Sequence, residues 1–177
     1  MHDQGPVITL RAATPEDAAA IADLGARSFT HKFAYLYCPE DLASYLAQAH
    51  TEAKVATEIA DPLMRTMLAV EDGRLLGFCK LVMTCGWPEH ARGAKAIELK
   101  QLYLDPDLTG RGLGKRFMDW ALAEAASFGA DEVQLSVYSG NDGAQRFYDR
   151  HGFGKVADIH FMVGQQRDEE FLFARMI

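Results

Sequence analysis

Apolar and polar residues alternate over residues 7–11, the spacing of a half-buried strand, and residues 66–71 and 75–83 read as two further strands. Asp72-Gly73 between the last two predicts a tight hairpin turn. Residues 96–104 read as another strand, with Ile97, Leu99, Leu102, Tyr103 and Leu104 apolar. Helical spacing takes over elsewhere. Ala18, Ile21, Ala22 and Leu24 share one face leading to Phe29, behind a start signal in which Thr14 caps, Pro15 opens the first turn and an acid follows. Leu42, Tyr45 and Leu46 mark a second helix after Pro39, and Val55 and Ile59 a third, from Thr51 to Asp61-Pro62. A fourth covers 112–128, where Phe117, Met118, Ala121, Leu122 and Ala125 recur and Gly129 stands at the C-cap. Residues 131–138 (Val133, Leu135, Val137) form a strand and 142–151 a short helix. Residues 153–163 are strand-like, 164–169 a polar turn and 170–177 a last strand, while 84–95 form a loop. Strands alternating with helices after an early hairpin predict an α/β fold, a mixed sheet around one core.

Composition sets loose bounds on this picture. The 177 residues fit one domain, 1–177, and no apolar run approaches the roughly 18 residues of a membrane span. The first residues lack the apolar stretch of a secretion signal, and Cys38, Cys79 and Cys85 follow no metal-ligand spacing. A reduced, cytoplasmic setting and no membrane partner are expected. The six histidines are scattered, so no metal site is expected. Net charge is −7 with no basic stripe, which argues against nucleic acid as a partner. An acidic surface suits a cationic acceptor, and equally suits solubility alone.

The stretch that carries chemistry is 96–115, AIELKQLYLDPDLTGRGLGK. A strand runs into Asp105-Pro106, then a loop with glycines at 110, 112 and 114, then a helix. Free N–H groups at a helix start, aided by the macrodipole, make an anion cradle, and Arg111 and Lys115 add charge. The dinucleotide fingerprint fails, because its last glycine position holds Lys115 or Phe117. The P-loop fails as well, since Thr109 stands at its first glycine and Arg116 at its Ser/Thr. What remains, Thr109-Gly110-Arg111-Gly112-Leu113-Gly114, resembles the acetyl-CoA pyrophosphate loop of the GNAT N-acetyltransferases, Q/R-x-x-G-x-G/A. Thr109 departs from that pattern, so one cationic contact is either missing or supplied by Arg111.

A second motif strengthens the resemblance. Asn141, Ala144, Phe147, Tyr148, Gly152 and Phe153 match the family signature N-x-x-A-x-x-F-Y-x-x-x-G-F, in the expected order after the glycine loop. The stretch from Glu98 to Asp105 and the region from His160 to Leu172 are similar to the Pai-type branch, which includes spermine/spermidine acetyltransferases. The resemblance implies the acyl-CoA N-acyltransferase fold, a twisted mixed sheet whose two central parallel strands splay apart, flanked by helices. It implies an acceptor-side helical region at about 14–61, an acetyl-CoA core at about 66–163 and a C-terminal strand at 170–177. Acetyl-CoA, the co-substrate, would lay its pyrophosphate on Thr109, Gly110, Arg111, Gly112, Leu113, Gly114 and Lys115. Its pantetheine arm would pair with the backbone of Leu102, Tyr103 and Leu104, with Asn141 and Phe147 against the cofactor. Homodimers are common in the family.

Acetylating an alkylamine demands a proton acceptor, because at neutral pH deprotonation withholds about 4 kcal/mol. Glu98, 14 positions before Gly112, matches the placement of the catalytic glutamate in histone-type members. The alternative is an ordinary strand-end carboxylate beside Lys100. His31 and His90 are poorer candidates. Tyr148 is expected to protonate the leaving thiolate, rather than serve only as a core aromatic beside Phe147. Strand N–H groups around Leu102 would hold the oxyanion. No nucleophile motif calls for a covalent enzyme intermediate. The aromatics Phe29, Phe33, Tyr35 and Tyr37 are expected in the core, with an acceptor-pocket wall as the alternative for some of them. Transfer to a small polyamine-like amine is the leading expectation. A peptide N-terminus or lysine, or a regulatory acyl-CoA-binding module, is the alternative.

Overall fold

The computed structural model describes residues 7–108 and 110–177; the expected cradle residue Thr109 lies outside them. Among the described residues seven strands form one sheet: β1 (Thr9–Ala12), β2 (Met64–Glu71), β3 (Arg74–Val82), β4 (Ala96–Leu104), β5 (Glu132–Tyr138), β6 (Gly154–Val163) and β7 (Gln166–Met176). Their order is β1-β2-β3-β4-β5-β7-β6. Only β4 and β5 run parallel; every other neighbouring pair is antiparallel. The helices are α1 (Ala18–Phe33), α2 (Pro39–Ala49), α3 (Glu52–Ala60), α4 (Leu113–Phe128) and α5 (Asp142–Arg150).

Alternation along the strands feeds two apolar layers. On one face Cys79, Leu81, Leu99, Val133 and Leu135 pack beneath Phe117, Met118 and Ala121 of α4. On the other, Leu68 and Phe78 meet Ile21 and Leu24 of α1 and Val55 of α3. Helix ends follow the expected chemistry. The Asp17 carboxylate accepts from the Thr14 backbone N–H at 2.8 Å, and the Thr51 hydroxyl accepts from the Lys54 N–H at 3.2 Å. Gly129, at φ 82°, closes α4, with the Ala130 N–H reaching the Ala125 carbonyl at 3.0 Å. No helix among the described residues is long and apolar enough to cross a membrane.

One expected boundary moves. Residues 164–169 do not form a long polar turn: only Gly164 and Gln165 separate β6 from β7, and the last strand starts at Gln166. The period of two persists through Arg167, Asp168, Glu169 and Glu170, but its inward positions are acidic. Asp168 and Glu170 are buried while Arg167 and Glu169 are exposed. Buried carboxylates in a strand look like loop in a sequence, because the interior they face is polar.

Candidate active site

Parallel pairing between β4 and β5 lasts for three positions, from Ala96 opposite Glu132 to Glu98 opposite Gln134. Beyond Glu98 the strands part. A bulge lies at the same place: β3 pairs Leu81 with Leu99 and Lys80 with Gln101, leaving Lys100 as the extra residue of β4. A bulge bends its strand and increases local twist, which suits the divergence. Between Leu99 and Leu104 the side of β4 that faces β5 therefore carries no strand partner. This cleft offers edge backbone groups to an extended ligand arm.

The glycine loop lies at the far end of β4. Asp105 anchors its entrance, accepting from the Asp107 N–H at 3.0 Å and from Arg74 at 2.8 Å. Gly110 and Gly112 sit at φ 67° and 70°, a region that favours glycine, and a Cβ on either would meet nothing within 4 Å. Backbone conformation therefore selects these glycines, and the space above them is open. Gly112 opens α4, and among the described residues no side chain caps this helix start, which leaves first-turn N–H groups for a ligand. These features fit a pyrophosphate. Arg111 pairs with Glu71 through two hydrogen bonds of 2.6 and 3.1 Å, and Lys115 with Asp119 at 2.6 Å. A Cβ on Gly114 would stand 3.2 Å from the Phe147 ring, so that ring rests on the first turn of α4 and joins the two motifs.

Between the sheet and the α1–α2 region lies a cavity of about 590 Å³. Glu98, Leu102, Tyr103, Asn141 and Tyr148 all line it, whereas the glycine loop, Leu104 and Phe147 lie outside its lining. Glu98 is half-buried, and burial raises its carboxyl above the usual range, with Lys100 opposing. Its Oε2 lies 3.0 Å from where a Gly86 Cβ would stand. The Gln134 side chain clamps that loop, accepting from the Trp87 N–H at 3.1 Å and donating to the Trp87 carbonyl at 3.0 Å. Tyr148 packs between Phe147 and Phe153, and burial, then Cys79, hold its phenol protonated well above neutral pH. The Asn141 Oδ1 caps α5, accepting from the Ala144 N–H at 3.2 Å.

Aromatic expectations divide. Phe29, Phe33 and Tyr37 wall the cavity, and Tyr35 is exposed rather than in the core. Phe29 stacks on Tyr37 at 5.9 Å and meets Tyr45 at 4.5 Å. His31 and His90 do not line the cavity. Sequence reasoning missed Glu170, which lines the cavity from β7, is buried, and accepts from the Ser136 hydroxyl at 2.9 Å. Burial, with Asp168 nearby, pushes its carboxyl up to about 7 despite the Ser136 hydrogen bond. The one available signal was the pair Asp168 and Glu170 two residues apart, ahead of an apolar strand.

The model of the acetyltransferase (GNAT) family matches residues 28–153. An uncharacterized N-acetyltransferase of Mycobacterium tuberculosis is 32% identical over 90% of this chain and 97% of its own length. The aminoalkylphosphonate N-acetyltransferase of Salmonella typhimurium is 29% identical over 86% of this chain and 88% of its own. The spermidine N(1)-acetyltransferase of Thermoplasma acidophilum is 26% identical over 85% and 90%. Among solved structures, the PaiA N-acetyltransferase of T. acidophilum in complex with coenzyme A superposes with a TM-score of 0.79. It is 22% identical and covers 97% of this chain and 99% of that one.

Proposed function

The chain belongs to the acetyltransferase (GNAT) family and is an acetyl-CoA-dependent N-acetyltransferase, and from that premise we propose that it acetylates a small polyamine-like primary amine. The observation that carries the reading is the meeting of Glu98 and Tyr148, from two separate motifs, in one cavity beside the open cleft of β4. The name of the T. acidophilum relative supports the acceptor class.

Acetyl-CoA supplies an activated thioester. Gly110, Arg111, Gly112, Leu113, Gly114 and Lys115 would hold its pyrophosphate, together with Thr109. The backbone of Leu102, Tyr103 and Leu104 would take its arm, with Asn141 and Phe147 alongside. Glu98 would accept a proton from the acceptor ammonium, directly or through water, and a raised carboxyl is a better acceptor near neutral pH. The neutral amine then attacks the thioester carbonyl carbon. N–H groups around Leu102 would stabilise the oxyanion as the C–N bond forms. When the C–S bond breaks, Tyr148 gives its proton to the thiolate and recovers one from the nitrogen of the adduct. One proton leaves through Glu98 for each turnover, so charge and atoms balance.

Thiol release from acetyl-CoA with spermidine, spermine and a short peptide panel tests this. Saturable release with a polyamine is expected, with Tyr148→Phe and Glu98→Gln each lowering kcat at least tenfold. If both variants leave kcat/KM unchanged, the assigned roles are wrong. Tight acetyl-CoA binding without turnover on any amine would overturn the acceptor class.

A further inference from the structure

The proposed chemistry uses Glu98 and leaves a second buried carboxylate in the same cavity without a task. Glu170 is 8% exposed, and among the described residues neither it nor Asp168 forms an ion pair. The other buried acids are compensated. Glu58 meets Lys80, Asp105 meets Arg74, and Glu132 accepts from the Arg92 and Gly93 N–H groups. Burying a carboxylate without a cation is costly, so such a group points to a partner that arrives from outside. Ser136 holds Glu170 by one hydrogen bond. Tyr37, Tyr45, Tyr103 and Tyr138 line the same cavity as Glu170. Carboxylate and aromatic faces together suit an alkylammonium. The cavity lysines Lys32, Lys54 and Lys100 are exposed residues and do not pair with Glu170.

Register places the two acids apart. Glu98 stands opposite Gln134, and Glu170 opposite Tyr138, four residues farther along β5 and one strand beyond it. At about 3.3 Å per residue along β5 and about 4.8 Å for each of two strand spacings, their backbone positions are roughly 16 Å apart, and the side chains shorten that span. We propose that Glu170, positioned by Ser136, is the specificity residue that binds a second, non-reacting ammonium of the acceptor, several methylenes from the nitrogen that Glu98 serves. This rests on the amine-acetylation reading and adds a residue and a length to it.

Hexylamine, hexamethylenediamine and ε-aminocaproate share a chain length and differ only in the distal group. Wild-type kcat/KM should favour the diamine by tenfold or more over both others. Glu170→Gln should abolish that preference through KM, with kcat within twofold and hexylamine unaffected, and Ser136→Ala should weaken it partly. The subsite is overturned if Glu170→Gln lowers kcat equally for all acceptors, or if wild type prefers hexylamine or the aminocarboxylate. Calorimetric binding of hexamethylenediamine separates the two readings. Binding that is lost in Glu170→Gln, without turnover of any amine, sustains the subsite while acetyl transfer to amines fails. Absence of diamine binding to the wild type overturns the subsite itself.

Discussion

At the scale of single residues, Glu170 carries a stability consequence of its own. Its carboxyl titrates near 7 in the fold, against an ordinary 4.5. The groups that face it are Ser136 and Tyr138 on β5, Asp168 on β7, Tyr103 on β4, Tyr45 on α2 and Tyr37; none is a cation. Between pH 4.5 and 7 the folded state binds more protons at this position than the unfolded chain, so ionisation opposes folding as pH rises. Glu170→Gln removes the charge. Its unfolding free energy minus that of the wild type should grow by about 2–3 kcal/mol between pH 4.5 and 8. Urea titrations at both pH values check this, and a flat difference would mean that Glu170 is not held protonated by its burial. The contrast with Glu98 shows what a sequence can reveal of a site. Glu98 and Tyr148 are legible because each keeps a fixed spacing to a glycine or to an aromatic pair. Glu170 stands in the run Asp168-Glu169-Glu170, where only the pairing of β7 with β5 decides which acids turn inward.

At the scale of elements, the cradle depends on two glycines whose side of the backbone is empty. Gly112 is the N-cap of α4 at φ 70°. Alanine there meets no neighbour, so Gly112→Ala should cost only the left-handed penalty of about 1–2 kcal/mol. If the chain relieves that strain by leaving the left-handed region, the first-turn N–H groups turn away from the bound anion. We therefore expect KM for acetyl-CoA to rise about tenfold or more while KM for the amine stays within twofold, with stability followed by thermal melts. Equal changes in both constants would place the defect outside the cradle. Most elements were visible in the hydrophobic periodicity, because core positions of α1, α4 and β2–β5 are apolar on one face. The splay was not. It follows from three parallel pairs and a bulge at Lys100, and neither is written in the polarity of the strand.

At the scale of the whole molecule, the cavity lies between the sheet and the α1–α2 region, so its shape depends on how firmly these parts join. One joint is a buried pair: Lys80 of β3, 1% exposed, donates to Glu58 of α3 at 2.5 Å. Burial pulls the Lys80 ammonium down, and the Glu58 carboxylate holds it up. Glu58 also lines the cavity, which links this joint to the acceptor side. Removing one partner strands the other charge in an apolar interior, which costs about 3–5 kcal/mol, whereas replacing both by apolar residues of similar volume is often close to neutral. Lys80→Met should therefore destabilise strongly, Glu58→Leu similarly, and the double variant should recover most of the loss in a urea-unfolding cycle. If the joint also shapes the cavity, the double variant should raise KM for the amine while leaving KM for acetyl-CoA unchanged, because the glycine loop is carried by β4 and α4 rather than by α3. A double variant as unstable as the sum of the two single ones would show that the pair's charges are not what couples α3 to the sheet.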